Sequence, residues 1–260
     1  MNLILFINGN LGLKVLNSLV NNQDFNIIAV VLNSEKKRSI SYLDEVNDVL
    51  KNEGNISQVM LWNGSKLQST ELCNLLDAPT YGVSALFGHI LPKAVTSKFT
   101  GGILNLHPSL LPIGRGANPV SWSIIDRQPQ GISLHLIDQQ LDAGDLIFQK
   151  EIDVSGKATA GEIYETAIFE LFTAFQVNFP KWVNGELTPY PQSTLGATFH
   201  KSGDLDALRM IREEDFGSFG DFIRRIQACT FSNGKFALFQ DYEGKIWEVE
   251  LKMTNPRNQY

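Results

Sequence analysis

Cysteine is scarce in this chain of 260 residues. Cys73 and Cys229 are the only two, and neither belongs to a Cys-x-x-Cys pair. No disulfide scaffold or zinc motif is readable, which suits a reducing compartment. Positive charge is also in short supply: 22 lysines and arginines stand against 28 aspartates and glutamates, for a formal net charge of −6. That balance opposes a large polyanionic partner such as nucleic acid, because phosphate binding needs a basic surface. A small anionic ligand held by one or two local cations stays compatible with it. No apolar run approaches the ~20 residues of a membrane span. The first residues pass directly into a short strand, without a basic n-region or a cleavage site. A soluble, cytoplasmic protein is expected, with neither membrane nor nucleic acid as partner. Internal repeats and low-complexity tracts are missing as well.

What is present is an ordinary globular balance. Hydrophobic residues make up 43% and charged residues 19%, enough for a sizeable core in one large domain or a medium domain with an appendage. Leu3 to Ile7 is a continuous apolar run of the kind buried on both faces of a sheet. Asn8-Gly9-Asn10-Leu11-Gly12 turns the chain, Leu13, Leu16, Leu19 and Val20 form a helical stripe, and Phe25 to Leu32 is a second strand. This β-α-β order implies a right-handed crossover and a parallel sheet, hence an α/β, Rossmann-like core. The glycines of the first turn are spaced G-x-x-G, with no Walker lysine, so the turn is either plain or a helix N-terminus touching a phosphate. Lys36, Lys37 and Arg38 read as a solvated loop or a phosphate contact. Helices are expected over residues 42–50 and 67–76, with strands over 59–61 and 81–87.

The segment from Gly101 to Asp145 carries the chemistry. Ile103, Leu104 and Leu106 end a buried strand, and Pro108 and Pro112 forbid further ladder pairing. Asn105 and His107 are two apart and therefore share a face. They stand where a core strand runs out, the edge at which open α/β sheets bind ligands. Asp142 arrives later on a loop beside Gly144. Amide, imidazole and carboxylate suit acyl-group chemistry: an oxyanion donor, a proton carrier, and a group that orients and charges the carrier. His135, on the alternating strand Gly131 to Ile137, is a second histidine near this set, expected in a structural role. Asp138, Asp142 and Asp145 cluster, but no histidine pattern such as H-E-x-x-H accompanies them, so no metal is expected.

Asn105-Leu-His107-Pro-Ser-Leu-Leu-Pro, followed by Leu141-Asp142-Ala-Gly144, resembles the signature of the 10-formyltetrahydrofolate-dependent formyltransferases. That family includes glycinamide ribonucleotide transformylase, methionyl-tRNA formyltransferase and the sugar N-formyltransferases. The resemblance implies catalytic roles for Asn105, His107 and Asp142, and 10-formyltetrahydrofolate as donor. It places folate along Leu86, Phe87, Gly88, His89, Ile90 and Leu91, with Asp138. It assigns the nucleotide-sugar side to Asn10, Ser109, Arg115, Gly116, Asn118, Trp122, His200, Lys201 and Phe231. Arg115 also reads as a surface loop arginine, and Trp122 and Trp247 as core. The ribonucleotide branch carries Gly-Ser-Asn where this chain has Asn8-Gly9-Asn10. The tRNA branch implies a basic C-terminal barrel.

Thr159-Ala-Gly-Glu162 is a capping box that opens a long helix ended by Asn184-Gly185. Pro189 and Pro191 look like a linker. The expected division is a catalytic domain over 1–188 and a small α+β domain over 189–260, ending in a hairpin around Asp241-Tyr-Glu-Gly244. The reading is a sugar N-formyltransferase acting on a nucleotide-linked amino deoxysugar, such as dTDP-4-amino-4,6-dideoxyglucose, for surface polysaccharide (O-antigen, lipopolysaccharide) synthesis. A homodimer through the hairpin follows from the resemblance. The alternatives are the tRNA or ribonucleotide enzymes, or a non-catalytic folate-binding module.

Overall fold

The computed structural model describes residues 1–33, 42–51, 59–62, 65–76, 80–231 and 236–252; the basic triplet at 36–38 lies outside them. In chain order the elements are β1 (Asn2–Ile7), α1 (Gly9–Val20), β2 (Asn26–Asn33), α2 (Tyr42–Lys51), β3 (Val59–Trp62), α3 (Lys66–Asn74), β4 (Thr80–Ala85), α4 (Lys93–Thr96) and β5 (Gly102–His107). They continue as β6 (Arg115–Gly116), α5 (Pro119–Asp126), β7 (Gly131–Leu136), β8 (Leu146–Glu151), α6 (Ala160–Val183) and β9 (Phe199–His200). The chain closes with α7 (Asp204–Arg209), β10 (Met210–Arg212), α8 (Phe219–Cys229), β11 (Ala237–Gln240) and β12 (Ile246–Val249). Two compact units result. One comprises Met1–His107, Ser133–Phe148 and Leu171–Gln192, the other Pro108–Ile132, Gln149–Glu170 and the chain from Ser193 onward. They interleave along the sequence instead of meeting at a single boundary near residue 188.

The first unit is built on a seven-stranded sheet of order β3-β2-β1-β4-β5-β7-β8. Its first five strands run parallel, and β7 lies antiparallel to β5. Ile4 and Phe6 pack with Ala29, Val31, Met60 and Trp62 on one face, while Leu3, Leu5 and Ile7 alternate to the other, all buried. Helix α1 starts at Gly9, with only Asn8 between it and the end of β1, in the N-cap position without a side-chain capping bond. It docks through Gly12, where a Cβ would stand 2.8 Å from Ile7 Cβ and 2.5 Å from Tyr42 Oη. This docking sets the phase of the helix. The buried stripe is Leu11, Val15, Leu16 and Leu19: Leu16 and Leu19 are buried as spacing suggests, while Leu13 and Val20 are half-buried and Leu11 and Val15 take their place. Each such side chain stabilises the unit by roughly 2 kcal/mol.

Strand β4 stops at Ala85 because Leu86 takes a φ of 57°, a left-handed conformation that a branched side chain rarely adopts. The ends of β1 and β4 are tied by Asn8 N–H donating to the Ala85 carbonyl at 3.0 Å. This is where strand order reverses, the switch point at which doubly wound sheets bind ligands. The segment after Tyr190 is not a loose linker: Leu146 N–H donates to the Tyr190 carbonyl at 2.7 Å and Tyr190 N–H returns the bond at 2.9 Å.

In the second unit β6 pairs in parallel with β9, and α5 packs on α8. The three strands β10-β11-β12 form a separate sheet, β10 parallel and β12 antiparallel to β11. Trp122, Leu205, Ile211, Cys229 and Ala237 share a small core. Arg225 braces it, donating to the carbonyls of Leu208 (3.1 Å) and Met210 (2.8 Å) and to Asp215 (3.1 Å). The Arg212 N–H and Arg225 together hold the Asp215 carboxyl below the usual carboxylate range. The capping box forms as expected, with Glu162 N–H donating to Thr159 Oγ1 and Thr159 N–H to the Glu162 carboxylate. The hairpin strand β12 leaves Ile246 54% and Trp247 47% exposed, so Trp247 is not core. Both cysteines are free thiols. Among the described residues, no helix is long and apolar enough to cross a membrane.

Candidate active site

The antiparallel register of β5 and β7 sets Asn105 opposite His135 and His107 opposite Ser133. Directly opposed residues in such a pair have interacting side chains. Asn105 Nδ2 lies 3.0 Å from His135 Nε2, and His135 Nδ1 lies 2.9 Å from the Leu136 carbonyl oxygen. A carbonyl only accepts, so Nδ1 carries the hydrogen and the neutral ring presents its lone pair at Nε2. Asn105 therefore donates one amide N–H to His135. The second histidine thus has the structural role expected of it, fixing the amide of Asn105.

Asp142 enters on the loop after β7 with a φ of 51°. Gly144 makes that loop possible: a Cβ there would sit 2.0 Å from the Leu136 carbonyl oxygen. Leu136 N–H donates to the Asp145 carbonyl at 2.8 Å. From the other side Gln192 Nε2 donates to the carbonyls of Asp142 at 3.0 Å and Gly144 at 2.7 Å. The carboxylate so held faces both imidazoles, with Oδ1 3.6 Å from His135 Nε2 and Oδ2 3.9 Å from His107 Nδ1. The three side chains are 10%, 1% and 7% exposed in the order Asp142, His135, His107, so the charge acts through a low local dielectric. The His107 and His135 rings are nearly perpendicular, at 85° with centroids 6.0 Å apart. Asp138 and Asp145 are exposed; the acidic cluster suggested by spacing does not form, and Asp142 meets histidines instead.

Residues 1–170 match the family model described as formyl transferase. The chain belongs to the formyl transferase family. Among its relatives is a methionyl-tRNA formyltransferase from Clostridium novyi, 36% identical over 44% of this chain and 37% of the relative. Another is a dTDP-4-amino-4,6-dideoxyglucose formyltransferase from Mycobacterium bovis, 31% identical over 55% and 60%. The chain thus spans less than two thirds of the length of these curated relatives. A 4-N formyltransferase from Francisella tularensis shares the fold, with a TM-score of 0.80 at 19% identity, over 98% of both chains.

Other residues expected from the formyl transferase resemblance divide between the units. In the first, Phe87 packs on Phe6 (centroids 5.5 Å) and His89 on Phe87 (5.5 Å), while Leu91 is buried in the sheet core and Ile90 is 74% exposed. Gly88 N–H donates to Asn33 Oδ1 at 3.0 Å, so that backbone donor is already engaged by a buried amide at the end of β2. Asn10 is exposed in the first turn of α1. In the second unit, Arg115 and Gly116 form β6, and a Cβ at Gly116 would lie 2.2 Å from the His200 carbonyl oxygen. Trp122 stacks flat on His200 at 3.7 Å, and His200 Nε2 lies 3.2 Å from Asp126. Asn118 occupies the N-cap position of α5 with a φ of 54° and no side-chain capping bond. Ser109 is buried, the Lys201 side chain is exposed, and Phe231 packs edge-on to Tyr164.

Gln192 left no signal in the sequence; it lies in a proline-flanked stretch that reads as linker. Its loss should loosen Asp142 without unfolding the sheet. For Gln192→Ala we expect a stability loss of about 1–3 kcal/mol, two hydrogen bonds' worth, and a larger relative fall in turnover than in donor affinity. Steady-state kinetics beside urea unfolding checks this, and an unchanged turnover would separate Gln192 from the site.

Proposed function

We propose that this chain is a sugar N-formyltransferase. It moves the formyl group of 10-formyltetrahydrofolate to the amine of a nucleotide-linked amino deoxysugar, such as dTDP-4-amino-4,6-dideoxyglucose, in the cytoplasmic supply of surface polysaccharide. The transfer step rests on one observation, the Asn105, His107, His135 and Asp142 cluster at the edge of the sheet in a formyl transferase fold. A module that only bound folate would have no use for two buried imidazoles on a carboxylate. The acceptor is supported by the match to the dTDP-amino-sugar enzyme and by the net charge of −6, which disfavours tRNA. The 36% identical stretch of methionyl-tRNA formyltransferase favours the rival reading. The exposed Ile246 and Trp247 of the edge strand β12 suit a homodimer joined through the hairpin.

In this reading the neutral amine attacks the formyl carbon, a C–N bond forms, and the bond from that carbon to the folate nitrogen breaks. The second amide N–H of Asn105, oriented by His135, donates to the developing oxyanion. His107 turns Nδ1 toward Asp142, so its Nε2 is the nitrogen that takes the amine proton and delivers it to the leaving nitrogen, with Asp142 stabilising the imidazolium. The same imidazolium could serve the oxyanion beside Asn105.

The test offers 10-formyltetrahydrofolate with amino-sugar nucleotides and, separately, charged initiator tRNA. A product heavier by one carbonyl unit from the sugar nucleotide is expected. Formylation of the tRNA at a matching rate would transfer the assignment to the tRNA branch, and neither product, with no thermal protection by 5-formyltetrahydrofolate, would remove formyl transfer altogether.

A further inference from the structure

Among the described residues, the group of side chains placed to hold a metal ion is His107, His135 and Asp142, whose ligand atoms all lie within 4.8 Å of one another. Formyl transfer as derived above needs no metal. We propose that these three residues form a binding site for a zinc-type divalent cation, and that its occupancy switches the catalytic centre off. The binding site rests on ligand geometry; the switching-off rests on the formyl-transfer reading.

Tetrahedral zinc bonds of about 2.0–2.1 Å to nitrogen and oxygen set ligand atoms roughly 3.4 Å apart. The carboxylate oxygens of Asp142 are 3.6 Å from His135 Nε2 and 3.9 Å from His107 Nδ1. These are two different oxygens; with one ligand atom from each residue the set lies within 4.8 Å, so binding draws the three side chains together by up to about 1.4 Å. His135 is already held as metal-bound histidines are, with its far nitrogen donating to a backbone carbonyl so that the other presents a lone pair. The Asp142 backbone is fixed by Gln192 and by the tight approach at Gly144, which limits the ordering that binding must impose. Two imidazoles and one carboxylate suit zinc, cobalt or nickel; magnesium and calcium prefer all-oxygen shells. Three protein ligands leave a fourth position for water.

Such a cation would take the lone pair of His135 that now accepts from Asn105, freeing the amide to turn away. It would also occupy Nδ1 of His107 and neutralise Asp142, so the imidazolium would lose its stabilising charge. Inhibition, not activation, follows.

The probe is cobalt(II), titrated into full-length protein freed of metal by a chelator and read by its visible absorption. We expect a saturable band with the intensity of four- or five-coordinate cobalt at one ion per chain, displaced by zinc. Asp142→Asn and His135→Gln should each weaken binding by about tenfold or more, with far-ultraviolet circular dichroism confirming their folds. Asp142→Asn keeps side-chain volume, so it stands as the deciding variant if His135→Gln unfolds. Absence of the band up to millimolar cobalt, or a band unchanged in Asp142→Asn, would overturn the proposal, the latter by locating the ion elsewhere. An enzyme that proved inactive in formyl transfer would leave this binding measurement untouched.

Discussion

Asp142→Asn should lower turnover by on the order of a hundredfold or more, in the range typical of general acid–base contributions, and leave nucleotide-sugar affinity nearly unchanged. The substitution preserves shape, and both backbone clamps from Gln192 survive because they reach the Asp142 and Gly144 carbonyls, not the carboxylate. What disappears is one negative charge 3.6 Å and 3.9 Å from two buried imidazole nitrogens. If the carboxylate only steadied the His107 ring, an amide oxygen could do the same and activity would persist. If it stabilises an imidazolium, turnover falls with the charge. Single-turnover rates across about pH 6 to 9, a range that overlaps the roughly pH 5 to 8 interval in which histidine changes charge, distinguish the two. Rates equal to wild type throughout would take Asp142 out of the mechanism and leave His107 resting on position alone.

The second large effect concerns Gly144→Ala. The added methyl would come within 2.0 Å of a backbone carbonyl and 3.3 Å of Asp138 Cβ. Backbone cannot swing aside as a long side chain can, so the cost lies near the upper end of overpacking, about 3 kcal/mol. The loop must move, and the Leu136–Asp145 hydrogen bond goes with it. A fall in thermal midpoint of roughly 6–12 °C is expected for a chain of this size, accompanied by a loss of turnover comparable with that of Asp142→Asn. A midpoint within a degree of wild type would mean that the loop relaxes freely and that glycine is not required there.

The residues with local signals were legible. Alternation put Asn105 and His107 on one face, the prolines after them ended the strand, and the β-α-β opening implied the parallel sheet that the structure contains. The capping box at Thr159 and the hairpin at Asp241 needed only short-range patterns. His135 was visible as a histidine on a strand, yet its bond to Asn105 depends on cross-strand register, which neither strand encodes alone. Gln192 acts through carbonyls 48 and 50 residues away, and nothing around it announces that. The buried stripe of α1 was legible only in part, at Leu16 and Leu19; Gly12 docks against Ile7 and Tyr42, and that contact brings in Leu11 and Val15 where spacing suggested Leu13 and Val20. The parallel pairing of β10 with β11 joins segments that read separately as helix-like and hairpin-like.

The first unit draws on three separated stretches of chain, the last of which ends at Gln192. On the ribosome, residues appear in order, and N-terminal segments begin folding first. The five parallel strands can assemble early, but the pins on the Asp142 loop, from Tyr190 and Gln192, emerge only after the whole of α6 has been made. A nascent chain arrested before that point would carry Asn105, His107 and His135 in place with their carboxylate untethered. In the proposed reading, competence for catalysis is therefore acquired late in synthesis, well after the fold is recognisable.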